Sequence, residues 1–152
     1  SLFLLNKEKI NIDDVIKLTN LAENYSISEL ADNCLSKNLH KINKIFNENI
    51  FSVDDCMLII RTLLSKSKRL LEIKKINNSI SNVEQTISNY KPPIFWKDKE
   101  IVKEQIKNWT LKKVENLIYK INEIELLIKK NSSNSINILF DFIITQSNKT
   151  NN

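Results

Sequence analysis

The fold is decided by residues 91–130, which read KPPIFWKDKEIVKEQIKNWTLKKVENLIYKINEIELLIKK. This stretch holds both prolines and both tryptophans of the chain. The Pro-Pro pair enforces an extended segment, because proline fixes its own φ and moves the preceding residue out of the helical region. Ile94, Phe95 and Trp96 are too apolar for a solvated loop. We therefore expect these three side chains to fill the core.

A long amphipathic helix is predicted from its N-cap, Thr110, to about Lys130. Its inward positions recur every three or four residues, and all of them are apolar except one glutamate. They are Leu111, Val114, Leu117, Ile118, Ile121, Ile124, Glu125 and Ile128. Glu125 and Lys129 stand four residues apart in the favourable order, which predicts an ion pair along the helix.

Further helical segments are predicted from the same periodicity and from candidate N-caps such as Ser52. They cover residues 11–22, 28–37, 39–49, 52–76, 82–87, 97–108 and 136–144. The predicted fold class is therefore all-α, a bundle of about seven helices. Its two long spines are expected over residues 52–76 and 110–130.

The nearly continuous apolar run at residues 136–144 is compatible with a buried strand or a buried helix by periodicity alone. A single strand would leave its backbone edges unpaired, and no other segment alternates, so we predict a helix. At the two ends of the chain, residues 2–5 are predicted to end an earlier helix at Asn6. The polar residues from Ser147 to the end are predicted to be disordered.

Glycine is absent from the sequence. A loop that cradles phosphate needs glycine, so a Walker loop and a dinucleotide-binding fingerprint are both excluded. The net charge is +5 and the pI is about 9.1, which is typical of proteins with an acidic partner such as nucleic acid. Because the lysines are spread along the chain and only Arg61 and Arg69 accompany them, we interpret the charge mainly as compositional bias.

Reactive side chains are few and scattered, namely Cys34, Cys56 and the single histidine, His40. Their spacing does not match a zinc site. We predict that both cysteines are reduced core residues of an intracellular protein and that the histidine is exposed on a helix. Trp96 and Trp109 could stack a nucleic-acid base, although packing is favoured. We predict no catalytic, cofactor-binding or metal-binding residue, no cofactor, and no apolar run that could span a membrane.

Three motifs follow one another in the stretch that decides the fold. They are Pro-Pro-Ile-Phe-Trp-Lys at residues 92–97, Trp-Thr-Leu at 109–111 and Ile-Asn-Glu-Ile-Glu-Leu-Leu-Ile-Lys at 121–129. Their order and spacing resemble the C-terminal part of the bacterial DNA polymerase III delta subunit family. Upstream, residues 12–16, 28–46 and 56–75 resemble earlier segments of that family, so the likeness spans residues 2–144.

Helix ends are where the sequence departs from this family, which usually has glycine there. This chain has asparagine instead, at Asn38, at Asn77 and Asn78, and at Asn131. Asparagine is the second-best residue for the left-handed conformation that ends a helix, so we expect these asparagines to adopt it. The departure therefore leaves the predicted fold unchanged.

The resemblance implies a role in assembly. Delta is a non-catalytic subunit of the clamp loader, with an AAA+-like architecture, in the DNA-directed DNA polymerase complex, a nucleotidyltransferase. Residues 1–22 would be the end of the lid domain, 23–147 the helical collar domain and 148–152 a disordered tail. The collar would bind the tau/gamma and delta-prime subunits in the cytoplasm. The sliding clamp would be reached only through a first domain that this sequence does not contain, and DNA only indirectly.

Two alternatives to an interaction domain remain open. One is a stand-alone basic helical module that binds nucleic acid, which the net charge of +5 and the two tryptophans suggest. The other is an enzyme, which would have to rely on His40 for acid–base chemistry. We expect no site in this chain to depend on that histidine.

Overall fold

The computed structural model describes residues 11–149. Over this range the chain forms seven α-helices, two short 3-10 turns and no strand, which confirms the all-α prediction. The helices are α1 (Ile12–Leu35), α2 (Leu39–Glu48), α3 (Val53–Ile80), α4 (Val83–Asn89), α5 (Lys99–Asn108), α6 (Leu111–Lys130) and α7 (Ser135–Ser147). The 3-10 turns are Trp96–Asp98 and Ser132–Asn134.

The two predicted spines, α3 and α6, pack against each other and form the centre of the bundle. The second part of α1 packs on α3, and α7 lies against α1, α3 and α6. The core side chains are almost all aliphatic, and the deepest are fully buried. They include Leu30, Leu35, Ile59, Ile60, Leu63, Leu117, Ile121 and Leu139. Removal of this apolar surface from water supplies the main driving force for folding.

The predicted N-caps of both spines are confirmed. The Ser52 hydroxyl accepts a hydrogen bond from the Asp55 backbone N–H at 3.2 Å, and the Asp55 carboxylate accepts one from the Ser52 backbone N–H at 2.8 Å. The Thr110 hydroxyl accepts from the Lys113 N–H at 3.2 Å. Each cap satisfies backbone donors that have no partner within the helix, which defines where the spine begins.

Two predicted helix boundaries are wrong. The predicted break between residues 22 and 28 does not exist, since α1 runs without interruption from Ile12 to Leu35. Ser26, which lies inside α1, donates a hydrogen bond from its hydroxyl to Asn49 Oδ1 at 3.1 Å. Likewise α3 continues past Asn77 to Ile80. Neither region contains proline or glycine. Their residues of low helix propensity therefore remain helical, because the flanking turns of the same helix are stabilised by packing.

The left-handed helix ends are also not where the sequence suggested. The residues with positive φ in the described chain are Lys37 (56°) and Ser81 (59°), not the predicted asparagines. Of the predicted asparagines, Asn77 and Asn78 lie inside α3, and Asn131 has a φ of −130°. Asn38 is instead the N-cap of the next helix, as is Asn82, and each accepts a backbone N–H three residues later. An N-cap has non-helical φ and ψ outside the left-handed region, so the left-handed conformation falls on the residue before it.

The segment after the Pro-Pro pair does not pack as predicted. The Lys91–Pro92 peptide bond that precedes it is cis. Ile94 is buried, but Phe95 is 57 % exposed and Trp96 is 69 % exposed. Adjacent side chains of an extended segment point in opposite directions, so Phe95 must face solvent when Ile94 faces the core. Trp96 then begins the 3-10 turn on the outside of the bundle.

At the carboxyl end, the apolar run at residues 136–144 is part of helix α7, as predicted. Ser147 was expected to lie in a disordered tail, yet it is fully buried and its hydroxyl donates to the Ile143 carbonyl at 2.6 Å. The predictions for residues 2–5 and Asn6 lie outside the described residues, as does most of the predicted tail. The predicted domain boundary between residues 22 and 23 falls inside α1 and stays a prediction.

Candidate docking surface

Helix α1 consists of two halves with opposite surroundings. Every residue of the outer half (residues 12–25) is exposed, whereas the inner half (residues 26–35) enters the core. The outer half nevertheless carries six large apolar side chains. Their exposed fractions are 74 % for Ile12, 46 % for Val15, 51 % for Ile16, 60 % for Leu18, 65 % for Leu21 and 69 % for Tyr25. Because no described residue covers this apolar face, and large uncovered apolar patches are typical of interaction sites, we call it the candidate docking surface.

The outer half is helical for local reasons. Asn11 is its N-cap, with Oδ1 accepting from the Asp13 N–H at 3.0 Å, and two aspartates occupy the first turn. Val15, Leu18 and Ala22 have the spacing of one helix face, but no described residue covers that face. A helix of this length without tertiary contacts is marginal in water, which favours a partner.

Charge also separates the outer half from the rest of the chain. It carries three carboxylates, on Asp13, Asp14 and Glu23, and one lysine, Lys17, in a protein whose net charge is +5. None of the four forms an ion pair with a described residue. The candidate docking surface is thus apolar and acidic, and none of its charges is neutralised by a described residue.

The inner half is held firmly by polar contacts as well as by packing. Asp32 pairs with Lys66 of α3, with 2.8 Å between Oδ1 and Nζ. Gln105 donates from Nε2 to the Asp32 carbonyl at 3.0 Å, and Trp109 donates from Nε1 to the Leu35 carbonyl at 2.6 Å. These contacts join α1 to α3, α5 and the start of α6. The direction in which the outer half projects is fixed by them.

A buried lysine that the sequence did not reveal closes this end of the bundle. Lys37 is 3 % exposed, and its ammonium donates to the Gln146 carbonyl at 3.1 Å while lying 4.2 Å from the centroid of the Trp109 ring. Burial lowers the pKa of Lys37. The cation meets the carbonyl end of α7, where the helix dipole favours positive charge. Lys37 is itself the left-handed residue at the end of α1, a conformation that was predicted one residue later, at Asn38.

A second exposed feature, the aromatic turn (residues 95–97), lies beside the base of the outer half. Tyr25, Lys97 and Asp98 line the same shallow groove of about 400 Å³ between α1 and this turn. The Phe95 and Trp96 rings are 5.9 Å apart, and Lys97 Nζ lies 5.4 Å from the Trp96 ring centroid. Packing of the tryptophans is thus confirmed for Trp109, which is 4 % exposed, and wrong for Trp96.

The remaining residues singled out from the sequence lie apart from one another. Cys34 and Cys56 are buried and unpaired, as predicted, and burial raises the pKa of the Cys34 thiol to about 11. His40 is exposed on α2, as predicted. The expected ion pair between Glu125 and Lys129 is present at 3.7 Å.

Within residues 11–149, no three His, Cys, Asp or Glu side chains are grouped so that they could hold a metal ion. None of the described helices combines the length and apolar character that a membrane span requires. Comparisons with protein-family models, curated proteins and solved structures find no match to this chain. The resemblance to the delta subunit family therefore stays a prediction from the motifs.

Proposed function

We propose that this chain is a protein-interaction domain, the collar of a bacterial DNA polymerase III delta subunit. In this proposal it assembles with the tau/gamma and delta-prime subunits into the clamp loader, which loads the sliding clamp onto DNA during replication. Residues 23–147 form the collar and residues 1–22 belong to the end of the lid domain. Helix α1 runs across this junction, and the apolar face of its outer half is where a neighbouring subunit docks in this proposal. The chain acts in the cytoplasm as a non-catalytic subunit, and the sliding clamp is contacted by a domain outside this sequence.

The observation that carries the proposal is the uncovered apolar face on the outer half of α1. Covering one leucine or isoleucine side chain contributes about 1.5–3 kcal/mol relative to leaving it in water. Six large apolar side chains exposed on successive turns therefore represent a substantial unused driving force for association. Uncovered apolar faces of this kind favour an assembly subunit over an isolated monomer.

The rigid base of α1 supports the same reading. Because the inner half is held by the Asp32–Lys66 pair and by the Trp109 hydrogen bond, the outer half projects from a defined position. A partner then binds a helix whose direction is already set, and the entropy lost on association is smaller. This arrangement suits a domain whose work is to hold neighbouring subunits at fixed angles.

Co-purification with bacterial tau/gamma and delta-prime collar domains tests the proposal. The wild-type chain should be retained, and the double variant Leu18→Gln/Leu21→Gln should bind about 30-fold more weakly or worse, because apolar anchors are lost. Glutamine keeps the helix propensity close to that of leucine, so loss of binding cannot be attributed to loss of the helix. Unchanged helicity by circular dichroism checks this.

The matched control is Leu126→Gln/Leu127→Gln, two leucines of α6 that are 58 % and 44 % exposed. This pair should bind like the wild type if the outer half of α1 is the docking surface. Failure of the wild-type chain to bind either collar would reject the proposed function. If only the α6 pair weakened binding, the proposed function would stand, but the docking surface would lie on α6.

A further inference from the structure

The outer half of α1 and the aromatic turn belong to one continuous surface. Leu18, Leu21 and Tyr25 stand three and four residues apart and therefore share one helix face. The same face continues one turn later at Glu29, which lines the groove of about 400 Å³ together with Tyr25 and Lys97. The apolar face of the outer half thus leads along the helix into this groove, whose far side is the aromatic turn.

The two parts of this surface carry opposite charges. The outer half has three carboxylates and one lysine, on Asp13, Asp14, Glu23 and Lys17. Three lysines surround the aromatic turn, and none of them forms an ion pair with a described residue; they are Lys91, Lys97 and Lys99. Of the two carboxylates near them, Glu100 is paired with Lys103 at 3.0 Å, and Asp98 alone does not balance three lysines. Each part is therefore apolar, and the two are complementary in charge.

Within one copy of the chain these two parts are held apart. Asp14 precedes Tyr25 by about three turns of the same continuous helix, which is ~16 Å along its axis. Lys97 lies at the groove beside Tyr25 and so at the opposite end of the outer half. The acidic tip of the helix therefore needs a second molecule to meet a basic turn of this kind.

We propose that two copies of this chain pair through this surface as a symmetric dimer, with the outer halves of α1 antiparallel. When Leu18 of one copy faces Leu21 of the other, Asp14 faces Tyr25 of the other copy, beside its Lys97. Every contact then occurs twice, as a two-fold interface requires, and a surface that holds both an acidic helix and a basic turn is complementary to itself. The inference uses the face on which the proposed function depends, but it does not rest on that function.

The exposed area suits a reversible dimer. An interface of standard size buries about 800 Å² of each partner. Tyr25, Phe95 and Trp96 are 69 %, 57 % and 69 % exposed, and they supply roughly 300–500 Å² of this area, since a covered aromatic side chain buries about 150–250 Å². The aliphatic side chains of the outer half supply the rest. Because an uncovered helix of this length is only marginally ordered, part of the gain is lost in ordering it, and we expect a Kd on the order of 10–100 µM. A dilute solution then contains the monomer with its outer half exposed.

Sedimentation velocity and intrinsic fluorescence of the full chain test this pairing. Between about 1 µM and about 1 mM, the mass should rise from that of one chain, 17.8 kDa, to that of two and no further. Over the same range the tryptophan emission should shift to shorter wavelength, because Trp96 becomes covered whereas Trp109 is buried already. Added salt should weaken the association, since exposed charge pairs are screened.

An exchange of charges locates the contact. Asp14→Lys and Lys97→Glu should each weaken pairing about 10-fold, and a chain that carries both should regain the wild-type affinity, because the pair is restored with its signs exchanged. This rescue distinguishes a contact between copies from damage to the first turn of α1, which Lys97→Glu would not repair. The matched control is Lys120→Glu, the same change of charge at an exposed position of α6, and it should pair like the wild type.

Three outcomes would overturn the inference: the mass of one chain at every concentration, growth beyond two copies, and the absence of rescue in the double charge variant. Leu18→Gln/Leu21→Gln should stay monomeric, and a dimer that survives this change would also contradict the proposed contact. The readouts separate this inference from the proposed function. A dimer that binds no collar domain rejects the proposed function alone, and a monomer that binds collar domains rejects the pairing alone.

Discussion

The two halves of helix α1 contain similar apolar residues, but one half is exposed and the other is buried. Leu18 in the outer half is 60 % exposed, and Leu30 in the inner half, three turns further along the same helix, is fully buried. Both belong to an apolar face with helical spacing, and both are part of one continuous helix. Amphipathic spacing therefore determines that a segment is helical, while the presence of neighbouring elements determines whether its face is covered.

Polar groups follow the same division. In the inner half Asp32 is paired with Lys66, whereas the carboxylates of the outer half, on Asp13, Asp14 and Glu23, have no ion-pair partner among the described residues. Polar groups in a closed core must be satisfied within it, but those of a docking surface are satisfied by solvent until a partner binds. The contrast leads to five predictions about stability.

The largest expected difference is in amide hydrogen exchange. Amides of the inner half should exchange only through global unfolding, and those of the outer half through local opening, a gap of about 5 kcal/mol or more. Exchange monitored by NMR at residue resolution measures this gap. Equal protection in both halves would mean that the outer half is covered in the folded protein.

Next in size is a matched pair of leucine truncations. Leu30→Ala should lower the free energy of unfolding by about 2–5 kcal/mol, because it leaves a cavity in the core. Leu18→Ala should change it by no more than about 0.5 kcal/mol, since that side chain is in solvent. Urea unfolding followed by circular dichroism distinguishes them. A large loss in Leu18→Ala would contradict the exposed position of the outer half.

A smaller effect is expected for the carboxylates. Asp32→Ala should destabilise the fold by about 1–3 kcal/mol, because it leaves the Lys66 ammonium, whose side chain is 18 % exposed, without its partner. Glu23→Ala in the outer half should stay within about 0.5 kcal/mol of the wild type. Thermal unfolding at low and high salt measures both. If the two substitutions have the same effect, the Asp32–Lys66 pair does not hold the base of α1.

A stabilising substitution of about 1 kcal/mol is expected at the joint between α3 and α4. Ser81 adopts φ 59° and ψ 29°, a left-handed conformation that disfavours residues with a Cβ, so Ser81→Gly should raise the free energy of unfolding. The gain belongs to the bundle, and hydrogen exchange of the outer half of α1 should not change. Destabilisation by this glycine would show that the left-handed conformation is not strained.

The last effect is confined to alkaline pH and concerns Tyr90. This phenol is 6 % exposed and donates to Glu72 Oε2 at 2.7 Å, and burial together with that hydrogen bond raises its pKa from 10.0 to about 12. Between these values the unfolded chain releases the proton and the folded chain keeps it, so stability falls as pH rises. Tyr90→Phe should lose this slope. Tyr119→Phe, at a position of α6 that is 66 % exposed, serves as the control and should keep it.

Local chemistry accounts for what could be predicted. The caps at Ser52 and Thr110 and the period of α6 were readable because they depend on residues a few positions apart. The helix end at Lys37 was misplaced because two cap rules compete for Asn38, and the N-cap took precedence. The end at Ser81 was misplaced because Asn77 and Asn78 continue α3 instead of ending it. Ile94 and Trp96 are both apolar enough for a core. Only the direction of the extended segment decided that Ile94 is buried and Trp96 is exposed.

The amino-acid sequence by itself determined an all-α chain, its two spines and the absence of glycine-dependent nucleotide loops, since periodicity, capping and backbone freedom are local properties. Tertiary structure alone decided which apolar faces stay uncovered, because coverage depends on elements distant in sequence. Helix α1 packs against α3, α5 and α7, and its inner half (residues 26–35) enters the core, whereas every residue of its outer half (residues 12–25) is exposed. Only that difference in neighbours made one half part of the core and left the apolar face of the other uncovered by described residues.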